Sequence, residues 1–275
     1  MKKRVMTCSI LLWMLTVVAV QAARIDTVMV HSASMNKDVQ VIYVIPDAAL
    51  ERTLVRYPVI YLLHGFGGNA LSWIRLKPEL PQIADAKGII FVCPDAKGSW
   101  YWDSPKNPEY RYETFVGTEL VQYTDAHYAT QANRTGRAIT GLSMGGHGAL
   151  WLAFRHPDTF GAGGSTSGGV DIRPFPTSWW MNRQLGEYAA NRELWDSHTV
   201  INQIDRIKKG ELALIIDCGE DDFFLEVNKA LHQRLLGQGI DHDFITRPGG
   251  HADEYWVNSI DYQILYFDKY FRQSK

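Results

Sequence analysis

Short apolar runs alternate with amphipathic stretches along most of the chain. Polar and apolar residues first alternate over residues 26–32 and 37–45, which predicts an antiparallel hairpin. Beyond them, short apolar runs flanked by Gly and Pro predict strands, and the stretches between these runs have a helical period. This alternation predicts an α/β fold with a mainly parallel sheet and helices on both faces. The predicted strands are 59–63, 89–93, 137–140, 212–217 and 244–246, and the predicted helices are 73–86, 119–127, 147–155 and 225–236.

The first residues have the pattern of a secretory signal peptide. A basic start at residues 2–4 precedes an apolar run at 8–20, and small residues fit cleavage after Ala22. An uncleaved membrane anchor is the alternative, but the run is short for crossing a bilayer. We therefore expect a signal peptide at residues 1–22 and a single exported domain at 23–275, in the periplasm or outside the cell.

Charge argues against a nucleic-acid partner. The full chain has 28 basic and 30 acidic residues, and loss of the three cations in the leader leaves 28 − 3 = 25 against 30, a net charge of −5. After residue 22 no apolar stretch is long enough to cross a membrane. Integral membrane association after cleavage is therefore not expected, and the pattern favours no particular oligomeric state.

Neither a metal nor a cofactor is expected. The sequence contains no phosphate-binding Gly loop with Lys and Ser/Thr, and no dinucleotide fingerprint. Residues 241–243 and 251–253 resemble metal-ligand spacing only loosely, and charged residues near strand ends explain them more simply.

The motif at residues 141–145, Gly-Leu-Ser-Met-Gly, is the first candidate for chemistry. A match to Gly-x-Ser-x-Gly is weak by itself, but this one follows an apolar strand and precedes a helical pattern. A sharp turn between strand and helix raises the Ser143 hydroxyl above the sheet. The motif therefore predicts a nucleophile, with a Gly-rich turn carrying a solvent-facing serine as the alternative.

A nucleophilic serine needs a base and an acid that orients the base. His251 lies in a Gly-rich loop after the last predicted strand, downstream of both other candidates, as the order Ser, Asp, His requires. Residues 220–222 supply three carboxylates after the strand 212–217. Asp222 is the predicted acid, Asp221 is the fallback, and a helix-capping role for Asp222 stays open.

Two backbone amides could stabilise an oxyanion. One belongs to Met144, which follows the predicted nucleophile, and the other to Phe66, in a loop containing three glycines. Glycines let this loop approach a substrate closely. His64 in the same loop is interpreted as a structural hydrogen-bonding residue, with a role as base as the alternative.

Residues 171–202 depart from the alternation of strands and helices. They carry Trp179 and Trp180 among polar residues and predict an excursion over the strand ends, where ligands bind in open α/β folds. Packing of these large aromatic side chains against the core explains the composition equally well.

Five blocks in one order resemble a known family: residues 62–69, 93–95, 141–146, 218–225 and 249–251. The chain resembles the esterase D-like family of the α/β-hydrolase fold. This family includes tributyrin esterases, S-formylglutathione hydrolases, and acetyl-xylan and feruloyl esterases. The resemblance implies a triad of Ser143, Asp222 and His251, and Phe66 and Met144 as oxyanion donors.

The resemblance also bears on two further regions. Residues 98–104 look like a substrate-facing loop, which implies substrate contacts for Trp100, Tyr101 and Trp102 beside those expected for Trp179 and Trp180. The family's sheet order keeps the strands of Cys93 and Cys218 apart. Export permits a disulfide, but two free buried thiols are favoured. No role for either thiol in catalysis is expected.

These expectations define a predicted function. Export argues against the formylglutathione branch, whose substrate is cytoplasmic, and aromatic loops suit a sugar ring or a phenolic acyl group. We expect a serine carboxylesterase that hydrolyses short-chain acyl or cinnamoyl esters, on a small molecule or a polysaccharide, through an acyl-enzyme. Acyl transfer by the same intermediate and a non-catalytic carbohydrate-binding protein are the alternatives.

Overall fold

Eight strands form one sheet in the computed structural model, which describes residues 23–51 and 54–273. Their order across the sheet is β1-β2-β4-β3-β5-β6-β7-β8. The predicted signal peptide, residues 1–22, lies outside the described residues. The strands are β1 (Arg24–Ser32), β2 (Lys37–Ile45), β3 (Val59–Leu63), β4 (Ile90–Pro94), β5 (Arg137–Gly141), β6 (Ala162–Thr166), β7 (Ala213–Gly219) and β8 (Asp243–Arg247).

The pairing pattern separates an antiparallel edge from a parallel body. Strands β1 and β2 form an antiparallel hairpin, and β2 also pairs antiparallel with β4. Every further pair, from β4–β3 to β7–β8, is parallel. The predicted α/β fold with its N-terminal hairpin is thereby confirmed. Because parallel strands end at the same edge, the loops after β3, β5, β7 and β8 share one side of the molecule.

Helices cover both faces of this sheet, as the alternation predicts. Short 3-10 turns lie at Asp47–Ala49, Arg134–Gly136, Tyr188–Ala190, Val200–Asn202 and Ile204–Arg206. A π-helical turn, Phe115–Glu119, joins α3 to α4. The helices are α1 (Ser72–Leu76), α2 (Leu80–Lys87), α3 (Tyr112–Thr114), α4 (Leu120–His127), α5 (Met144–Arg155), α6 (Met181–Leu185), α7 (Arg192–Ser197), α8 (Leu225–Gly237) and α9 (Asp253–Gln273).

Successive residues of the central strands serve two separate cores. In β3, Val59 and Tyr61 pack in the core that contains residues of α4, α5 and α8, whereas Ile60 and Leu62 pack in the core with α1, α2 and α9. All five residues of this strand are fully buried. Burial on both faces explains why the strand is a continuous apolar run rather than an alternating one.

The predicted single helix at residues 73–86 is wrong. The structure has α1, which ends at Leu76, and a separate α2 from Leu80. Pro78 causes the break, because a proline disfavours helical backbone angles at the residue before it, and Lys77 has φ −125° and ψ 77°. Pro81 is accommodated in the first turn of α2, where its missing N–H has no intrahelical partner to lose.

Strand β6 and helix α9 were not anticipated from the sequence. The residues of β6, Ala-Gly-Gly-Ser-Thr, give no apolar run, yet all five are buried between β5 and β7. A Cβ on Gly163 would lie 2.9 Å from Ala153 of α5, so small residues here permit close packing of helix on sheet. Helix α9 carries its own signal, since Ile260, Ile264, Phe267 and Phe271 recur at helical spacing.

The described residues contain no helix with the length and apolar character that crossing a bilayer requires.

Cys93 on β4 and Cys218 on β7 are both buried and free, and three other strands lie between β4 and β7. The prediction of two free thiols is therefore confirmed, since strands in a sheet lie about 4.8 Å apart and a disulfide cannot bridge that separation.

We expect Cys93 and Cys218 to resist alkylation in the folded protein. Burial raises the pKa of both thiols, so the reactive thiolate is scarce at neutral pH, and burial also blocks the reagent. Iodoacetamide treatment followed by peptide mass spectrometry should modify both residues only after unfolding in guanidinium chloride. Modification of either residue at equal rates with and without denaturant would contradict this burial.

Candidate active site

Ser143 lies in the tight turn between β5 and α5. Its φ of 55° and ψ of −118° are strained for a residue with a side chain. Close packing holds the turn in place, because a Cβ on Gly141 or Gly145 would lie 2.5 or 2.2 Å from the carbonyl oxygen of Leu63. The N–H of Ser143 also donates to the carbonyl of Thr166 at 2.9 Å. The glycines of the motif are therefore required by contact with the end of β3.

The three residues predicted to cooperate lie within hydrogen-bonding distance of one another. Ser143 Oγ lies 2.9 Å from His251 Nε2, and His251 Nδ1 lies 2.9 Å from Asp222 Oδ2. An ionised carboxylate can only accept, so Nδ1 carries the proton and Nε2 is free to accept one from the serine hydroxyl. The geometry suits general-base activation of Ser143.

Asp222 has two partners rather than one. Its side chain is fully buried, Oδ2 faces His251, and Oδ1 accepts the N–H of Phe224 at 2.8 Å. Phe224 is the N-cap residue of α8 and this helix has no side-chain cap, so the capping role left open for Asp222 is wrong. The neighbouring Asp221 is exposed, and its backbone N–H donates to Gly249. The structure thus places Asp222, and not the fallback, against the imidazole.

Backbone contacts join the loop after β7 to the loop after β8. The N–H of Glu220 donates to Arg247, and that of Asp221 donates to Gly249, both at 2.9 Å. A Cβ on Gly219 would lie 2.2 Å from the carbonyl oxygen of Gly249, so the two backbones touch. These contacts therefore fix the loop that carries Asp222 relative to the loop that carries His251.

A buried carboxylate on β7 reinforces this arrangement from both sides of His251. Asp217 has no exposed side-chain surface and accepts hydrogen bonds from Arg247, four residues before His251, and from Tyr255, four residues after it. Burial raises the pKa of Asp217, and the charge of Arg247 opposes that rise. Nothing in the sequence singled out these three residues, because they belong to separate elements.

The Gly-rich loop after β3 passes directly beside Ser143. A Cβ on Gly65 would lie 3.4 Å from Ser143 Cβ and 2.7 Å from Leu142. Within the described residues, the N–H groups of Phe66 and Met144 donate to no backbone carbonyl. Met144 also begins α5, whose N-terminal end favours negative charge. Both amides are thus available beside the serine.

His64 has the structural role interpreted from the sequence. It is buried, its Nδ1 donates to the carbonyl of Gly65 at 2.7 Å, and its Nε2 accepts the N–H of Ala96 at 2.9 Å. These two bonds use both ring nitrogens and join the loops after β3 and β4.

The prediction that Trp100, Tyr101 and Trp102 face the substrate requires correction. The exposure of all three is 1% or less. Trp100 and Trp102 pack edge-on against buried His147, and the Tyr101 hydroxyl donates to the carbonyl of His64 at 3.1 Å. Trp100 Nε1 also donates to the carbonyl of Trp179 at 3.2 Å. These side chains belong to the core, where they contact the loop after β3 and the backbone of Trp179.

Trp179 and Trp180 have different surroundings. Trp179 stacks on Phe223, with ring centres 5.7 Å apart, and Phe223 in turn contacts the ring of His251 at 4.4 Å. Trp180 is 52% exposed and packs edge-on against Phe66. Residues 171–202 therefore combine both expectations: Trp195 and Met181 are buried in the core, while Trp179 reaches the site.

A cavity of about 830 Å³ opens at Ser143 and His251. Its lining comes from the loop after β3, α1, Trp179 and the first turns of α9. The contributions of α1 and α9 did not follow from the sequence, because residues 73–76 were predicted only as part of a helix and α9 was not predicted. The lining residues are Gly65, Phe66, Gly67, Gly68, Ser72, Arg75, Leu76, Leu142, Ser143, Trp179, His251, Asp253, Glu254, Trp256 and Val257.

No group of three His, Cys, Asp or Glu side chains within residues 23–51 and 54–273 has the arrangement of a metal site. In one of the two loosely metal-like segments, His242 Nε2 lies 2.7 Å from His232 Nδ1, and the His232 ring stacks on Phe244.

Comparison with known proteins gives consistent similarities. A model of the family described as putative esterase matches residues 32–267. An acetyl esterase from Caldicellulosiruptor saccharolyticus is 27% identical over 210 residues, which are 72% of this chain and 78% of that protein. A solved ferulic acid esterase has a TM-score of 0.79 at 28% identity and covers 91% of this chain and 99% of its own. An S-formylglutathione hydrolase from Staphylococcus aureus, with a TM-score of 0.78 at 20% identity over 90% of this chain and 100% of its own, shares the fold.

We expect Tyr255→Phe to loosen the loop that carries His251. The substitution removes one hydrogen bond to Asp217 but keeps the ring, and should cost about 1 kcal/mol, a fall in Tm of about 2–4 °C. Hydrogen exchange at residues 248–252 should accelerate. The control is Tyr43→Phe, which removes a buried hydroxyl bonded to Thr124. Tyr43 lies on β2, and four strands lie between β2 and β7, which carries Asp217. Equal exchange in the two variants would show that the Asp217 contacts do not restrain this loop.

Proposed function

This chain belongs to the putative esterase family and is a carboxylic ester hydrolase of the α/β-hydrolase fold, and we propose that it hydrolyses short-chain acyl or cinnamoyl esters of carbohydrate with Ser143 as nucleophile. The family match confirms the resemblance to esterase D-like proteins drawn from the sequence. Carboxylesterase activity follows from the family, whereas the residues and the ester class are the proposal.

One observation carries the proposal: the unbroken hydrogen-bonded path from Ser143 Oγ through His251 to Asp222, with both distances at 2.9 Å. A serine hydroxyl is a weak nucleophile unless a base takes its proton as it attacks. Buried Asp222 orients the ring and stabilises the imidazolium that forms. Ser143 and His251 also line the same cavity, so a substrate can reach both.

The proposed reaction has two similar halves. Ser143 Oγ attacks the ester carbon while His251 takes the hydroxyl proton, and the N–H groups of Phe66 and Met144 stabilise the oxyanion. The intermediate collapses when His251 returns this proton to the leaving alcohol, which leaves an acyl-enzyme. Water then attacks the acyl carbon with His251 as base, and the acid leaves with Ser143 restored.

The aromatic residues of the cavity support the choice of ester. Trp179 and Phe66 line the cavity and Trp179 stacks on the partly exposed Phe223, so a cinnamoyl ring or a short acyl chain packs favourably against this flat apolar surface. Two of the similar proteins described above are an acetyl esterase and a ferulic acid esterase, whose names fit these two acyl types. Export to a compartment where such polysaccharides occur is part of the proposal.

Ser143→Ala should lower kcat by about 10⁴- to 10⁶-fold on every ester that the enzyme hydrolyses, because no other group can form the acyl-enzyme. Rates on para-nitrophenyl acetate, methyl ferulate and acetylated xylan would identify the preferred acyl group, and products formed with an added acceptor alcohol would reveal acyl transfer. An unchanged Tm would show that the fold is intact. Activity of the variant within tenfold of wild type would refute the proposal.

Asp222→Asn should lower kcat by about 10⁴-fold, because an amide at this position stabilises the wrong imidazole tautomer. Asp221→Asn is a matched control that removes the same charge one residue away, from an exposed side chain, and should have little effect. Steady-state kinetics on para-nitrophenyl acetate suffice for both. A severe loss with Asp221→Asn and a mild one with Asp222→Asn would assign the acid to the other carboxylate.

A further inference from the structure

Part of the cavity lining carries charge. Arg75 projects from α1, and Asp253 and Glu254 lie in the first turn of α9; we call these three residues the charged wall. We propose that the charged wall binds the alcohol half of the ester, and that this alcohol is an uncharged sugar. The inference rests on the proposed function and extends it from the acyl group to the leaving group.

Ion pairing does not account for the charged wall, although its acids at the start of α9 and its arginine at the end of α1 suit the partial charges of those helix ends. All three side chains are exposed, and none forms an ion pair or a side-chain hydrogen bond among the described residues. Asp217 and Arg247, by contrast, pair with each other beside the site. The charged wall thus combines a guanidinium and two carboxylates that face one cavity without satisfying each other.

Their separation is itself informative. Arg75 and the two acids line one cavity, yet no nitrogen–oxygen distance between them falls within the 4 Å of an ion pair. A gap therefore remains between donor and acceptor groups. A sugar hydroxyl both donates and accepts, so one ring can donate to the carboxylates while accepting from the guanidinium. An apolar alcohol could form neither of these hydrogen bonds.

We assign the charged wall to the alcohol half of the ester because α9, which carries two of its residues, begins next to His251. In the proposed reaction His251 returns its proton to the leaving oxygen, so the alcohol must lie beside this ring. Helix α9 begins only two residues after His251, and Trp256 packs edge-on against its imidazole with ring centres 4.9 Å apart. Trp256 lines the same cavity and offers an aromatic surface suited to the C–H face of a sugar.

The size and the charge of the cavity narrow the class of alcohol further. A cavity of about 830 Å³ lies toward the upper end of the range for ligand sites, about 300–1,000 Å³, and far exceeds what an acetyl group fills. The charged wall has two negative groups and one positive group. This balance disfavours an anionic alcohol such as a uronate and favours a neutral one.

The test compares two esters that share an acyl group and differ in the alcohol. Methyl ferulate and a feruloylated arabino-oligosaccharide form one pair, and para-nitrophenyl acetate and an acetylated xylo-oligosaccharide form the other. Arg75→Ala should lower the ratio of kcat/KM on the sugar ester to kcat/KM on the simple ester by about tenfold, the loss expected for a hydrogen bond to a charged group. Arg75→Lys should restore part of this ratio.

Arg56→Ala is the matched control. Arg56 is also exposed, but it precedes the first residue of β3, whereas the cavity lies beyond the last residue of this strand. The ratio of kcat/KM on the sugar ester to kcat/KM on the simple ester should therefore stay at the wild-type value. Equal Tm values would confirm that both variants fold.

The outcomes separate the two proposals. Failure of wild type to hydrolyse any of the four esters in a Ser143-dependent manner would overturn both. Ser143-dependent hydrolysis of the simple esters alone would overturn the assignment of the charged wall and the carbohydrate part of the proposed function, and would leave only Ser143 as nucleophile. Hydrolysis of the sugar esters with a ratio unaffected by Arg75→Ala would overturn the assignment of the charged wall and leave the whole proposed function standing.

Discussion

Contact between three backbone segments at one edge of the sheet determines the geometry of the site. The turn at Ser143 packs so closely on the end of β3 that Gly141 and Gly145 have no space for a Cβ beside Leu63. This contact holds the serine in a strained backbone conformation and brings the loop of Gly65 beside it. Parallel pairing then delivers the loops after β7 and β8 to the same edge. The short distances at the site follow from this backbone arrangement and not from side-chain flexibility.

A second layer of contacts restrains the histidine. Gly219 and Gly249 bring the two loops into contact, and the buried carboxylate of Asp217 receives hydrogen bonds from residues on both sides of His251. An imidazole that must face two partners at once loses efficiency when it shifts by about 1 Å, because proton transfer depends steeply on distance. Burying an ion pair is costly in desolvation, and here the pair secures one loop position.

The lining of the cavity has two chemically different parts. Trp179 and Phe66 contribute apolar surface, and α1 and α9 contribute a guanidinium and two carboxylates. An ester also has two halves, and the proposed reaction requires a defined orientation of each half at the serine. In the proposal, the two parts of the lining contact the acyl group and the alcohol separately.

The sequence by itself determined the fold class, the order of chemical motifs and those buried strands that are apolar runs. These features depend on local patterns: apolar runs between turns, and glycines in a strand–turn–helix motif. The features that depend on contacts between distant segments were decided only by the tertiary structure. Whether Asp222 or Asp221 meets His251 is set by the backbone contact between two loops, and Trp100, Tyr101 and Trp102 are buried because other segments cover them. Strand β6 has no apolar run because its glycines make room for neighbouring elements, so pairing with β5 and β7 alone defines it.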